Sequence, residues 1–242
     1  MQLKKESTME SNSLNSKHFK FNNEADFILY LAELITDLIQ KKDRLERYGN
    51  EVKLILKNNP NAKFIQSDIF ESINDKVNRI NQYIFNIIGD ESKKAVSYRK
   101  FRKILFKQKN NLKITLNNLP REEVELIGEF NQLRNWGLHI PESLYVQKKA
   151  FFKMDSQFIL TNKKTIPLPT YDYFEIKFLS EMGREIQEIL DALNLILERM
   201  KNDYAALIGE DVVLEYEKNQ VKSYIFMDAV QNSWDVQKGK LR

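Results

Sequence analysis

The sequence contains no cysteine, and its 242 residues include only seven glycines, five prolines and two histidines. The absence of cysteine excludes disulfide bonds, thiolate metal ligands and cysteine nucleophiles, and it fits the reducing environment of the cytoplasm, where we expect the protein to act. Every glycine is isolated in the sequence, which excludes a glycine-rich phosphate-binding loop. Because glycine and proline interrupt helices, their scarcity favours a protein built from long helices.

Long apolar runs are also missing. The most apolar stretch, residues 27–35, is broken by Glu33 and falls short of the ~20 residues that a membrane-spanning helix needs. The first 23 residues are polar, so we expect neither a signal peptide nor a membrane partner. The chain also lacks the His-Glu-x-x-His and Cys/His patterns of metal sites, and we therefore expect no metal and no cofactor.

Apolar residues recur at the helical period through most of the chain, which predicts an all-α, mostly antiparallel bundle of about five main helices. With 42% hydrophobic residues, the chain has enough apolar material for one substantial core. We predict a disordered tail over residues 1–22, a single helical domain over 23–210, and a C-terminal extension of uncertain structure over 211–242. The predicted helices cover residues 23–49, 62–88, 92–107, 120–139 and 171–207, and residues 161–170 read as an exposed connection.

Charge is distributed unevenly along the chain. No acidic residue occurs between positions 92 and 121, whereas basic residues recur throughout that segment. Such a segment can attract a polyanion, and the predicted third helix would carry an RNA-binding surface made of Lys93, Lys100, Lys103 and Lys107. The aromatic residues Tyr98 and Phe101 are spaced for the helix core, although stacking on RNA bases is the alternative.

The most informative short motif is Arg134-Asn135-x-x-x-His139, at the predicted end of the fourth helix and two residues before Pro141. Histidine titrates near neutral pH and can transfer protons to or from RNA oxygens. Arginine has a permanent charge and a forked set of donors that match phosphate oxygens. The side-chain amide of asparagine can both donate and accept hydrogen bonds. The motif therefore offers the groups that cleavage of a phosphodiester requires.

A single histidine is poorly placed to act as both base and acid, and a second copy across a two-fold axis would supply the missing group. This argues for a homodimer. The alternative is that the motif is structural: Arg134 would form a salt bridge, with Glu129 or Glu142, and His139 would cap the last helical carbonyl groups.

An Arg-Asn-x-x-x-His motif near a helix end, in an all-α bundle, resembles the signature of the HEPN superfamily (higher eukaryotes and prokaryotes nucleotide-binding). The matching residues are Arg134, Asn135 and His139, and Leu133 occupies the apolar position usually found before the arginine. The resemblance implies a metal-independent endoribonuclease whose catalytic motifs meet at a dimer interface. It also implies a role in toxin–antitoxin, abortive-infection or other antiviral systems, with an antitoxin or regulatory protein as a possible partner.

Two hypotheses thus come from the sequence. In the first, the protein cleaves RNA by attack of a 2′-hydroxyl, leaving a cyclic phosphate, with Arg134, Asn135 and His139 as catalytic residues. In the second, it is a non-catalytic all-α module for protein–protein interaction or dimerisation.

Overall fold

The computed structural model describes residues 21, 23–91, 96–138, 146 and 170–216. The described part of the chain is mostly helical, which confirms the predicted all-α class. None of its helices is both long enough and apolar enough to cross a bilayer. The elements are α1 (Glu24–Asn58), β1 (Phe64–Gln66), α2 (Ser67–Gly89), α3 (Tyr98–Gln108), α4 (Arg121–Leu138), β2 (Tyr173–Glu175) and α5 (Ile176–Ile208).

Several predictions fall wholly or partly outside these residues. The predicted disordered tail does so apart from Phe21, and the predicted connection over 161–170 does so apart from its last residue. Of the C-terminal extension only residues 211–216 are described, and they form neither helix nor strand.

The two longest helices, α1 and α5, pack antiparallel. A methyl group added at Gly49 of α1 would lie 2.9 Å from Ile186 Cγ2, and one added at Gly183 of α5 would lie 3.3 Å from Val52 Cγ1. Each glycine thus makes room for an aliphatic side chain of the other helix. The prediction that Gly49 ends the first helix was wrong, because this glycine serves close helix packing and α1 continues to Asn58.

Helix α2 lies between α1 and α4, and it runs antiparallel to α4. Ile73, Val77, Ile80 and Ile84 of its apolar stripe are buried, whereas Ile69 near the start of the helix is 41% exposed. On α4 only half of the apolar stripe is buried. Ile127 and Phe130 are buried, whereas Val124 and Leu133 are 49% and 45% exposed. The helix therefore buries a narrower face than the periodicity indicated and leaves apolar side chains at the surface.

A two-stranded antiparallel sheet joins the beginnings of α2 and α5. β1 pairs with β2 so that Phe64 lies opposite Glu175 and Gln66 opposite Tyr173. These strands replace the first residues of the helices predicted to start near positions 62 and 171. Three-residue strands paired across about a hundred residues leave no periodic signal in the sequence, because their stability depends on the distant partner.

Helix α3 closes one end of the bundle around a buried polar cluster, the Arg102–Asp203 cluster. Arg102 Nε lies 2.7 Å from Asp203 Oδ2, the Tyr98 hydroxyl donates to the same oxygen at 2.8 Å, and Arg102 Nη2 donates to the carbonyl oxygen of Asn117 at 2.8 Å. Burial raises the pKa of Asp203 even though Arg102 and Tyr98 oppose the shift, and burial also raises the pKa of Tyr98. As predicted, Tyr98 and Phe101 belong to the core.

Candidate functional site

Helix α4 carries two of the three motif residues near its C-terminal end. The helix begins directly after Pro120, with acidic residues in its first turn, and its described residues run to Leu138. Arg134 and Asn135 are therefore described, but His139 lies outside the described residues. The described part of the site consists of Arg134 and the groups around it.

Three oxygen acceptors surround the Arg134 guanidinium. Nε donates to Asn86 Oδ1 at 3.3 Å, and Nη1 donates to Asn135 Oδ1 at 3.0 Å. Nη2 lies 3.1 Å from Asp90 Oδ1. Each guanidinium nitrogen thus faces a different side chain, and because the guanidinium is planar, these contacts fix its orientation.

A close approach of two helices makes these contacts possible. Gly89, the last residue of α2, lies against the backbone of α4, and a methyl group there would be 2.6 Å from the Asn131 nitrogen. No side chain fits at that position. Since Gly89 lets the end of α2 touch α4, Asn86 and Asp90 come within hydrogen-bonding distance of Arg134.

The site lies at the surface rather than in the core. The side chains of Arg134 and Asp90 are 18% and 13% exposed. Asn135 is exposed, and so are the neighbouring Leu133 and Trp136, the latter to 56%. The guanidinium is therefore partly accessible, with an amide and exposed apolar side chains beside it.

Asn86 of α2 and Asp90, which directly follows α2, were missed in the sequence. Their signal was an asparagine and an aspartate one helical turn apart at the end of an apolar helix, but nothing local connects them to α4; Asn86 precedes Arg134 by 48 residues. The structural alternative predicted a salt bridge of Arg134 with Glu129 or Glu142. The ion pair that forms is with Asp90 instead, Glu129 is exposed, and Glu142 lies outside the described residues.

The predicted RNA-binding lysines divide into two groups. Lys93 lies outside the described residues, whereas Lys100, Lys103 and Lys107 are on α3, with Lys103 and Lys107 exposed. Lys103 Nζ is 2.6 Å from the Glu91 carboxylate, which also pairs with Arg99 Nε at 3.1 Å. The hydrogen bond from Lys103 lowers the pKa of Glu91.

The positive charge of residues 92–121 is thus partly neutralised by acidic residues from other parts of the chain. Glu91 compensates Arg99 and Lys103 at the surface, and Asp203 compensates Arg102 in the core. Sequence distance concealed Asp203, which belongs to α5, whereas Glu91 directly precedes the segment.

In the described part of the chain, no group of three histidine, aspartate or glutamate side chains is placed to hold a metal ion. Comparisons of the chain with protein families, with curated proteins and with solved structures find no match. The candidate site therefore rests on its own residues and on the resemblance of its motif.

Proposed function

We propose that this protein is a metal-independent endoribonuclease of the HEPN type, acting in the cytoplasm in toxin–antitoxin or antiphage defence. The observation that carries the proposal is the fixed, partly exposed guanidinium of Arg134 at the end of α4, with Asn135 directly beside it. A cation fixed before the substrate arrives stabilises charge in a transition state without having to reorganise.

In the proposed reaction, the ribose 2′-hydroxyl attacks the adjacent phosphorus, and a base removes its proton. The bond from phosphorus to the 5′-oxygen breaks, an acid protonates that oxygen, and a 2′,3′-cyclic phosphate remains. His139 supplies the proton-transfer group in this scheme. Arg134 binds the non-bridging phosphate oxygens, and Asn135 orients Arg134 through the hydrogen bond from Nη1.

The proposal includes a homodimer. Leu133 and Trp136 are exposed on α4 immediately beside Arg134. Exposed aromatic groups in an apolar patch are typical of protein interfaces. A second protomer covering this patch would bring its own motif close, so that two histidines share the roles of base and acid. Lys100, Lys103 and Lys107 would add affinity for RNA from α3.

The test uses the two histidines of the chain as a matched pair. RNA cleavage is measured for wild type, His139→Ala and His18→Ala in the presence of a chelator, and the product ends are analysed. We expect wild type and His18→Ala to leave cyclic-phosphate ends and His139→Ala to lose cleavage. Equal cleavage by all three proteins would contradict the proposal.

A second candidate function is a non-catalytic interaction module. The ion pair between Arg134 and Asp90 favours it, because a guanidinium bound to a carboxylate also serves to join two helices. Absence of cleavage by all three proteins over varied RNAs, together with a dimer that depends on Trp136, would favour this function.

A further inference from the structure

A groove of about 540 Å³ lies between α3 and the first half of α4, and we call it the α3–α4 groove. Its volume falls in the range of sites that bind ligands or side chains of a partner. The apolar part of its lining consists of Phe106, Leu119, Val124 and Ile127, and the basic part includes Arg99, Lys103 and Lys107. The groove is separate from the Arg134 site: Val124 and Arg134 are ten residues apart on α4, or about 15 Å along the helix axis.

The apolar part of the groove is suited to aliphatic groups rather than to nucleobases. Among the described lining residues, Leu119, Val124 and Ile127 are aliphatic and Phe106 is aromatic, with the Lys109 ammonium 3.9 Å from its ring centroid. The ammonium occupies one face of that ring, which leaves only the other face for base stacking. Val124 is 49% exposed at the groove, so a partner's aliphatic side chain placed against it would remove apolar area from water.

The basic part of the groove already binds a carboxylate of this chain. Glu91 lies 2.6 Å from Lys103 Nζ and 3.1 Å from Arg99 Nε. Lys107, one turn beyond Lys103, is exposed. The cations are therefore spaced to accept carboxylates, and a competing acidic group could replace Glu91 or pair with Lys107.

From these observations we infer that the α3–α4 groove binds an acidic amphipathic segment of a partner protein. Aliphatic side chains of the segment pack on Val124 and Phe106, while its carboxylates pair with Lys103 and Lys107. This inference does not depend on ribonuclease activity, but it makes the peptide carboxylates competitors of RNA phosphates for Lys103 and Lys107. It has a consequence for the proposed site, because Glu91 directly follows Asp90, the residue that pairs with Arg134. A partner segment that displaces Glu91 would bind next to Asp90, which pairs with Arg134.

The test selects twelve-residue peptides from a random displayed library against the full-length protein and measures their affinity by fluorescence anisotropy. We expect the selected peptides to combine aspartate or glutamate with aliphatic residues. Val124→Glu and Lys107→Glu should each weaken binding about tenfold or more, because the first places a charge against the aliphatic side chains of the peptide and the second repels its carboxylates. Glu91→Gln should strengthen binding a few-fold, since it removes the internal competitor.

The matched control is Leu54→Glu, which changes a 56% exposed leucine on α1. It should leave peptide affinity within about twofold, as expected for a change away from the interface. Urea unfolding of each variant separates loss of binding from loss of fold. The inference is overturned if no peptide is selected, if the selected peptides are not acidic, or if Val124→Glu binds them as wild type does.

RNA provides the remaining outcome. Binding of a labelled oligouridylate is measured with the same variants. If Val124→Glu weakens RNA binding about tenfold and leaves peptide binding unchanged, the groove contacts RNA and the inference fails.

Discussion

Two arginine–aspartate ion pairs of this protein differ mainly in their surroundings. Arg102 and Asp203 lie 2.7 Å apart with side chains 7% and 3% exposed, and Tyr98 and the Asn117 carbonyl complete their hydrogen bonds. Arg134 and Asp90 lie 3.1 Å apart with side chains 18% and 13% exposed. The first pair is enclosed by the core, whereas the second is at the surface.

This difference assigns the two arginines different tasks. A guanidinium enclosed in the core has no path to a substrate, so Arg102 serves the fold and joins α3 to α5. Arg134 keeps part of its surface in water. The residue types are the same in both pairs, and burial decides which arginine the solvent can reach.

The largest expected effect tests the structural role of the core pair. Asp203→Ala leaves the Arg102 charge buried without a carboxylate, which should lower the free energy of unfolding by about 3–5 kcal/mol. Asp90→Ala, the matched change at the surface pair, should cost roughly 1 kcal/mol or less, because water can solvate Arg134. Urea unfolding of both variants measures the difference. Equal losses of unfolding free energy in the two variants would contradict the claim that burial makes the two ion pairs differ.

The next effect concerns activity. Arg134→Ala should reduce RNA cleavage at least about 100-fold, as expected for loss of a preorganised group that stabilises the transition state. The protein should keep its stability within about 1 kcal/mol, whereas Arg102→Ala should lower the free energy of unfolding by about 3–5 kcal/mol, because Asp203 would be left buried without its arginine. Cleavage rates and far-UV circular dichroism of both variants test the prediction. If the Arg134→Ala protein still cleaved RNA at the wild-type rate, Arg134 would have only a structural role, as Arg102 does.

A smaller effect tests the helix contact that assembles the site. Gly89→Ala places a methyl group 2.6 Å from the Asn131 nitrogen and should separate α2 from α4, at a cost of about 1–3 kcal/mol. The control is Gly128→Ala on α4, where a methyl group meets nothing within 4 Å; it should stabilise the helix by roughly 0.5–1 kcal/mol. Thermal unfolding and RNA cleavage report on both. If Gly89→Ala keeps full stability and activity, the close contact does not position Arg134.

Local patterns were enough to predict the helical elements. The start of helix α4 was predicted almost to the residue, because Pro120 precedes its apolar period. Gly49 misled for a physical reason: glycine is a usual helix stop, but here it admits Ile186 from α5. That use of glycine depends on a helix far away in the sequence.

The site was predictable only in part for the same reason. The motif identified Arg134 and Asn135, which the structure joins by a hydrogen bond. Asn86 and Asp90 required knowledge of how α2 packs on α4. The sequence does indicate the core pair. Asp203 follows Met200 on the buried stripe of α5, and a carboxylate at such a position needs a partner.

The smallest predicted effect is the pH dependence of stability contributed by Glu91, which pairs with two cations of the groove. The folded-state pKa of Glu91 is lowered, first by the hydrogen bond from Lys103 and further by the charge of Arg99. Its stabilising contribution is therefore complete above the ordinary glutamate pKa and is lost as pH falls through the lowered value.

We expect Glu91→Gln to remove this pH dependence. The change should amount to a few tenths of a kcal/mol, because the Lys103 side chain is 59% exposed and well solvated. Urea midpoints at pH 7 and pH 4 for wild type and Glu91→Gln measure it, with the exposed Glu125→Gln as control. If Glu91→Gln lost as much stability at pH 7 as Asp203→Ala, Glu91 would be part of the structural core, and the cations of the groove would not be available to a partner.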